Sequence, residues 1–254
     1  MRNDRRTGSE GLFGKLISYL SKHVDILGSI LRFLLTLPLP LPRTSSGYRV
    51  KTAWRVFNPA LAISSHLLIK VLKSKKVSDT CVDVGTGTGI LALEMAMLGN
   101  YVIACDINIK AGKIAVINAK KCNLYDRIDV VIGDGVEFLR SKSVNVIIMN
   151  PPYIPCHRKN YLDPVCCGNK CETLENLLKE TLRTLKPEGI LIFTFSTFTP
   201  LDSVMPVECS VYLLAYVRTF IDTIYVAQLS KSKKSTILNT TYGDPMKTVA
   251  RTDK

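Results

Sequence analysis

From residue 80 onward, short apolar runs alternate with segments whose apolar side chains recur at helical spacing. Apolar runs of this length are typical of buried strands, and the segments between them are long enough to form helices. Strands are predicted at residues 80–84, 101–105, 128–132, 144–149, 190–195, 211–217 and 223–229. Helices are predicted at residues 59–72, 90–98, 110–122 and 173–185. This alternation predicts an α/β fold: a Rossmann-like, seven-stranded, mostly parallel sheet whose last strand is antiparallel, with helices on both faces.

A separate helical pattern precedes this body, at residues 11–36. Charged residues interrupt its apolar positions, so it does not predict a membrane-spanning helix. Three interpretations remain open: the helix lies on a membrane surface, fills an apolar groove of a partner protein, or packs on its own domain. Pro38, Pro40 and Pro42 end the helix and make an extended linker.

The charge of the chain is concentrated at its ends. The 254 residues carry a formal net charge of +13. Residues 1–55 hold ten Lys or Arg against three Asp or Glu, and residues 231–254 hold six against two, which leaves only +2 for residues 56–230. Basic ends are typical of proteins that bind RNA or anionic surfaces, and equally of solvated tails. We therefore expect an amino-terminal extension at 1–47, a nearly neutral body at 48–230 and a basic tail at 231–254.

The eight cysteines do not follow the pattern of a small secreted domain. Cys81 and Cys105 fall at predicted strands, which favours free thiols in a reducing cytosol. Five further Cys and His residues are close in sequence: Cys156, His157, Cys166, Cys167 and Cys171. Their spacing lacks the paired C-x2-C motifs of a structural zinc site, so no metal is expected. No small-residue cleavage site follows the apolar segment at 11–36, and a cytoplasmic location is expected.

A glycine-rich turn follows the first strand of the body and opens a helix. Gly85, Gly87 and Gly89 let the backbone turn sharply and approach a ligand closely. The spacing differs from a dinucleotide-binding loop, whose third glycine would come one position later. Asp83 precedes the turn and would suit an ammonium group. We expect the cofactor to contact this segment through Asp83, Gly85, Thr86, Gly87 and Gly89.

Two more carboxylates follow the next strands of the predicted sheet. Asp106 ends the second strand, where it can accept hydrogen bonds from both hydroxyls of a ribose. Asp134 follows the third strand and can lie beside an adenine amino group. Each aspartate alone could be a helix cap or a turn residue. Because the carboxyl ends of parallel strands form one binding edge, the three aspartates and the glycine turn together predict a pocket for S-adenosylmethionine.

The sequence Asn150-Pro151-Pro152-Tyr153 follows the fourth strand. The two prolines fix the backbone and lack N–H donors, so the carbonyls beside them are rigid and free. The Asn150 side-chain oxygen and the Pro151 carbonyl could accept both hydrogens of a planar NH2 group, and Tyr153 could stack on it. We expect these four residues to be catalytic, with Asn150 also bordering the cofactor. A plain Pro-Pro turn is the alternative.

Taken together, these motifs resemble class I S-adenosylmethionine-dependent methyltransferases over residues 48–230. Within that superfamily the chain resembles the HemK/PrmC type, the protein glutamine N5-methyltransferases that modify the Gly-Gly-Gln loop of release factors. The resemblance rests on the Asp83–Gly89 turn, Asp106, Asn150–Tyr153 and the approach segment Val56-Phe57-Asn58-Pro59. The short region before the first strand is similar to the archaeal and eukaryotic branch, which implies a small zinc-containing activator subunit. The acidic residue that the family places after the approach proline is missing from residues 60–66, which carry hydroxyls instead.

Methyl transfer to a planar NH2 group fits more than one acceptor. A glutamine amide in a release factor is the first hypothesis. An N6-adenine, or other exocyclic amino, methyltransferase acting on RNA or DNA is the second, and the basic ends favour it. The nearly neutral body and the lack of a separate predicted RNA-binding domain favour the protein acceptor. A cofactor-binding scaffold without catalysis is the third.

Overall fold

The computed structural model describes residues 23–75, 77, 80–206, 209–231 and 236–238. The predictions for residues 1–22 and for most of the tail at 231–254 lie outside the described residues. Among the described helices, none combines the length and the apolar character that crossing a membrane requires.

A single eight-stranded sheet forms the body of the protein. Its strands are β1 (Thr80–Val84), β2 (Tyr101–Asp106), β3 (Ile128–Ile132), β4 (Val144–Met149), β5 (Leu185–Ser196), β6 (Cys209–Arg218), β7 (Thr223–Lys231) and β8 (Thr236–Leu238). The spatial order is β3-β2-β1-β4-β5-β7-β6-β8. Strands β1 to β5 are parallel, and β7 is antiparallel to both of its neighbours. The predicted Rossmann-like fold is therefore confirmed. The short β8, which pairs with β6 at the edge, is an addition that the apolar pattern does not predict.

Helices flank the sheet on both faces. They are α1 (residues 23–35), α2 (Ile63–Lys75), α3 (Ile90–Met97), α4 (Ile109–Lys121), α5 (Glu172–Thr184) and α6 (Leu201–Val204). On one face, Leu72 of α2 and Leu93 of α3 share a core with Ile148 of β4. On the other face, Leu178 of α5 shares a core with Ile147, the residue of β4 just before Ile148. Burial on both faces explains why β4 is apolar at every position except Asn145.

One predicted helix is divided in the structure. The segment predicted as a helix over residues 59–72 begins as a 3-10 turn, Pro59–Leu61, and continues as α2 after Ala62. Asn58 caps the 3-10 turn, because its side-chain oxygen accepts a hydrogen bond from the Ala60 N–H at 3.0 Å. The break places the first residues of α2 at the end of β4, beside the Asn150 segment.

The described part of the amino-terminal helix packs on its own domain. The Leu35 carbonyl of α1 accepts a hydrogen bond from the Asn58 N–H at 2.7 Å, and the Asn58 side chain binds the carbonyls of Leu37 and Pro40. The outer face of α1 is exposed, with half or more of the surface of Ile30 and Phe33 open to solvent. Packing on its own domain is therefore seen for residues 23–35, and contact with a membrane or a partner stays a prediction.

The prediction of free thiols is wrong for half of the cysteines. Two disulfides form, Cys156–Cys166 and Cys167–Cys171, with Cα atoms 5.1 and 4.4 Å apart. The loop after β4 folds back on itself, and this brings together residues whose spacing does not resemble a known framework. The other four cysteines are buried and outside these disulfides: Cys81, Cys105, Cys122 and Cys209. Over the described residues, no group of three or more His, Cys, Asp or Glu side chains could hold a metal ion.

Candidate active site

The carboxyl ends of the central strands open into a cavity of about 450 Å³. Val84, the last residue of β1, pairs with Cys105 on one side and Met149 on the other, so these strands end at the same level. Most of the predicted site residues line this cavity: Gly85, Thr86, Gly87, Asp106, Asp134, Asn150, Pro151 and Pro152. Three others do not, namely Asp83, Gly89 and Tyr153.

The turn after β1 presents bare backbone to the cavity. The N–H groups of Gly85 and Thr86 both donate to the Cys105 carbonyl, at 2.9 and 3.0 Å, which anchors the turn to β2. Gly85 has φ of +72°, and a side chain there would meet no heavy atom within 4 Å. Glycine is thus needed for the conformation, while the space beside it is open to a ligand. Gly89 is different, because it packs against Ala115 of α4 and lies off the cavity.

Asp106 supports the turn and faces the cavity at the same time. Its Oδ2 accepts a hydrogen bond from the Gly87 N–H and its Oδ1 from the Asn108 N–H, each at 2.8 Å. Burial raises the pKa of the Asp106 carboxyl, and the two backbone hydrogen bonds oppose that shift. Each oxygen keeps acceptor capacity for the hydroxyls of a ribose. Asp134 lies at the same cavity with its side chain exposed to solvent.

Asp83 lies behind the turn and is fully buried. Its Oδ2 accepts hydrogen bonds from the Thr86 hydroxyl at 2.6 Å and from the Ala92 N–H of α3 at 3.1 Å. Its Oδ1 is a buried acceptor with no partner among the described residues. Burial raises the pKa of the Asp83 carboxyl to about 7, and the hydrogen bonds from Thr86 and Ala92 limit the shift. The predicted contact of Asp83 with an ammonium group stays a prediction, with Oδ1 as the atom that could make it.

A second cavity, of about 380 Å³, also borders the Asn150–Pro152 segment. Both cavities are lined by these three residues and by Phe57 and Pro164. Tyr153 lines only the second cavity, whose surface is mostly apolar. Among the described residues that line it, Asp222 is the only charged one.

Asn150 is held in place by two hydroxyl groups. Its side-chain nitrogen donates to Ser65 Oγ at 3.0 Å, and the buried Thr194 hydroxyl donates to its side-chain oxygen.

Burial raises the pKa of Tyr153 to about 12, opposed by a hydrogen bond with Ser64, so the phenol stays protonated at neutral pH. The sequence shows that residues 60–66 are rich in hydroxyl groups. It does not show that these hydroxyls contact Asn150 and Tyr153. Thr194, on β5, has no signal in the sequence.

Residues 47–214 match the family model of the methyltransferase small domain. A tRNA1(Val) (adenine(37)-N6)-methyltransferase from Dyadobacter fermentans is 31% identical over 129 residues, which are 49% of this chain and 52% of that protein. A release factor glutamine methyltransferase from Moorella thermoacetica is 39% identical over 80 residues, 31% of this chain and 28% of that protein. The chain thus spans about half or less of the length of these relatives.

Two solved structures share the fold at low identity. The E. cuniculi Mtq2–Trm112 complex, responsible for methylation of the termination factor eRF1, aligns with a TM-score of 0.53 and 18% identity, covering 70% of this chain and 99% of that one. The M. jannaschii tRNA m1G37 methyltransferase aligns with a TM-score of 0.55 and 20% identity, covering 78% of this chain and 58% of that one. At these identities the likeness shows the fold alone.

Proposed function

The chain belongs to the methyltransferase small domain family, a family of S-adenosylmethionine-dependent enzymes, and we propose that it methylates the side-chain amide of a glutamine in a peptide-chain release factor. Within the family, the proposal places it with the HemK/PrmC type. The observation that carries it is the position of Asn150, which borders both cavities and is held by Ser65 and Thr194.

The first cavity has the groups that S-adenosylmethionine needs. Asp106 would accept the ribose hydroxyls, and the open backbone at Gly85 and Gly87 would lie along the methionine part. Asp134 would lie beside the adenine. When bound there, S-adenosylmethionine supplies an activated methyl group on a positively charged sulfur. The volume of about 450 Å³ lies within the usual range of cofactor sites.

On the acceptor side, the protein positions a weak nucleophile. An amide nitrogen reacts poorly because its lone pair is delocalised into the carbonyl. Hydrogen bonds from the NH2 group to the Asn150 oxygen and the Pro151 carbonyl would orient the lone pair toward the methyl carbon. In such a transfer the carbon–nitrogen bond would form as the carbon–sulfur bond breaks, S-adenosylhomocysteine would leave as a neutral thioether, and the nitrogen would release one proton to solvent. Holding the two reacting atoms at attack distance can supply a large part of the rate enhancement.

The lining of the second cavity supports a peptide acceptor. A nucleotide brings phosphate groups close to its base, and proteins bind these with Lys, Arg or backbone N–H donors. The described residues that line this cavity include no Lys, Arg or His, and the one charge among them is the carboxylate Asp222. A neutral glutamine side chain with its aliphatic stem fits such a surface better than a phosphodiester.

The N6-adenine reaction on RNA or DNA is the second candidate. Residues 1–55 and 231–254 carry most of the net positive charge, which would attract a polyanion. The adenine amino group is planar like an amide, so Asn150 could orient it by the same hydrogen bonds. The relative from Dyadobacter fermentans is named for this chemistry.

The proposal extends to a partner and a location. We propose that the chain acts with a small zinc-containing activator subunit in the cytoplasm. The fold neighbour from E. cuniculi, a complex of Mtq2 with Trm112, supports the first part. We also propose that the chain is divided into three parts: an amino-terminal extension at 1–47, the catalytic domain at 48–230 and a basic tail at 231–254.

A transfer assay with labelled S-adenosylmethionine distinguishes the acceptors. A release factor carrying Gly-Gly-Gln and total RNA are offered side by side, each with and without the activator. We expect label on the release factor, lost when its glutamine is changed to glutamate. Label on RNA alone would support the adenine reaction. Cofactor binding without transfer to either acceptor would support the catalytically inactive scaffold.

The substitution Asn150→Ala tests the role of the shared segment. It removes the side-chain oxygen that would accept the NH2 hydrogen bond, so turnover should fall about 100-fold or more. The affinity for S-adenosylhomocysteine, measured by calorimetry, should change only a few-fold, since Asp106 and the glycine turn are intact. A turnover within threefold of the parent protein would contradict this assignment.

A further inference from the structure

Helix α1 supplies part of the wall of the second cavity. Leu31 and Leu35 line that cavity and do not line the first. They lie before residue 47, where the match to the methyltransferase family begins. A segment outside the matched domain therefore contributes to the surface that an acceptor would meet.

An ion pair fixes α1 to the loop after β4. Arg32 Nε donates to Asp163 Oδ2 at 2.8 Å, and the Asp163 side chain is fully buried. The other oxygen, Oδ1, accepts hydrogen bonds from the N–H groups of Val165 and Cys166, both at 3.1 Å. A second nitrogen of Arg32 donates to the His157 carbonyl at 3.1 Å. Because the buried carboxylate orders the loop, Arg32 joins the helix to a loop whose conformation is already defined.

The contact between helix and loop is also close. Any side chain at Gly28 would collide with the sulfur of Cys156, so the helix packs directly on the Cys156–Cys166 disulfide. At one end of the described helix, the His157 N–H donates to Asp25 at 2.7 Å. The same loop places Pro164 in the wall that both cavities share. The loop that holds α1 thus also carries Pro164, which lines both cavities.

We propose that α1 is the specificity element of the acceptor site, with Arg32 as the positioning residue that sets its distance from Pro164. The proposal rests on the proposed function, because it assigns the second cavity to the acceptor. Leu31 and Leu35 would contact the aliphatic stem of a neutral acceptor beside its NH2 group. An acidic side chain would lose its hydration against these leucines and would meet, among the described lining residues, only the like charge of Asp222, so it is rejected.

Two tryptophan substitutions on the same helix test the proposal in the full chain. Leu35→Trp fills the second cavity, whereas Ile30→Trp adds the same bulk on the exposed face, away from both cavities. With the release factor as acceptor, Leu35→Trp should raise the acceptor KM about tenfold or more, and Ile30→Trp should leave it unchanged. The affinity of both variants for S-adenosylhomocysteine should equal that of the parent.

Three further variants address folding and position. Leu31→Ala enlarges the cavity instead of filling it, and should raise the acceptor KM with kcat less affected. Arg32→Met removes the ion pair and should act on KM in the same way, whereas Arg32→Lys keeps a charge near Asp163 and should recover part of the loss. A variant that only unfolds would lose cofactor binding as well, which calorimetry reveals.

The outcomes separate the two proposals. Equal KM values for Leu35→Trp, Leu31→Ala and the parent, with an active parent, would overturn the role of α1 and leave the proposed function intact. If the parent methylates RNA and not the release factor, while Leu35→Trp selectively loses that transfer, α1 keeps its role and the glutamine assignment fails. A parent that binds the cofactor and methylates neither acceptor overturns both.

Discussion

At the scale of single residues, Asp83 shows how burial changes the behaviour of a predicted ligand. The sequence places it at the cofactor turn, and the structure places it behind that turn, bonded to Thr86 and Ala92. A carboxylate in this position is desolvated, which raises its pKa to about 7. The folded protein therefore holds a proton there that the unfolded chain has already released.

A pH prediction follows from that proton. Between about pH 4 and pH 7 the unfolded state ionises Asp83 and the folded state does not, so the free energy of unfolding falls as the pH rises. Asp83→Asn removes this dependence. From pH 5 to pH 8 the free energy of unfolding of the variant should rise by roughly 3 kcal/mol relative to that of the parent, as measured by urea unfolding without cofactor. Asp126→Asn, at an exposed site, is the control and should show no gain.

The residues of the acceptor site were only partly predictable. The Asn-Pro-Pro-Tyr sequence after an apolar strand identified Asn150 because its motif is contiguous. Ser65 and Thr194 contact it from positions 85 and 44 residues away, and one sequence holds no information on such pairs. The acidic residue that the family resemblance led us to expect after Pro59 is missing from residues 60–66, and the Ser65 hydroxyl lies against Asn150 instead.

At the scale of elements, periodicity predicted the strands well because central strands such as β1 and β4 are almost wholly buried and because turns bound the strands. The differences arise where tertiary contacts extend or divide an element. Strand β5 begins at Leu185, before the Lys-Pro-Glu-Gly segment, because Leu185 pairs with Val144 across an irregular register. The helix predicted from residue 59 is divided because Asn58 caps a separate turn. Neither effect has a periodic signature.

The packing of α4 on the glycine turn gives an element-scale prediction. Gly89 has φ of +84°, and a Cβ there would lie 3.1 Å from the Cβ of Ala115 on α4. Gly99 has φ of +95°, and a Cβ there would meet no heavy atom within 4 Å. Substitution of Gly99 by Ala therefore measures the cost of the positive φ without a steric clash. Gly99→Ala should destabilise the protein by about 1 kcal/mol, and Gly89→Ala by about 1–3 kcal/mol more.

Urea unfolding of the two alanine variants measures that difference. Equal midpoints for both variants would mean that α4 moves aside at no cost, contrary to the close packing seen between these elements. Cofactor affinity is a second measurement of the same effect, because displacing α4 would also shift the turn that borders the first cavity. Gly99 is far from that turn in sequence and serves as the reference for this measurement too.

At the scale of the whole molecule, the loop after β4 departs most from its sequence-based description. Its four cysteines form two disulfides, and the longer of the two loops they close spans ten residues. A bond of this kind typically contributes about 2–4 kcal/mol by limiting the unfolded chain. Cysteine spacing alone could not predict the pairing, since proximity here depends on Asp163 and on helix α1.

Thiol counting tests this arrangement. The denatured protein, purified without reductant, should react with a thiol reagent at four cysteines out of eight, and at all eight after reduction. The reduced folded protein should also melt at a lower temperature than the oxidised one. Eight reactive thiols without reductant would show that the loop is held by Asp163 and α1 alone, as the original expectation of free thiols requires.

The wall that the two cavities share has a consequence for how such a protein diverges. A substitution in Asn150–Pro152 alters both surfaces at once, so natural selection has little freedom there. Leu31, Leu35 and the Thr219–Asp222 turn border only the second cavity. Descendants of an ancestral gene could therefore exchange one recipient molecule for another by drift in these peripheral positions, while the donor side is inherited unchanged.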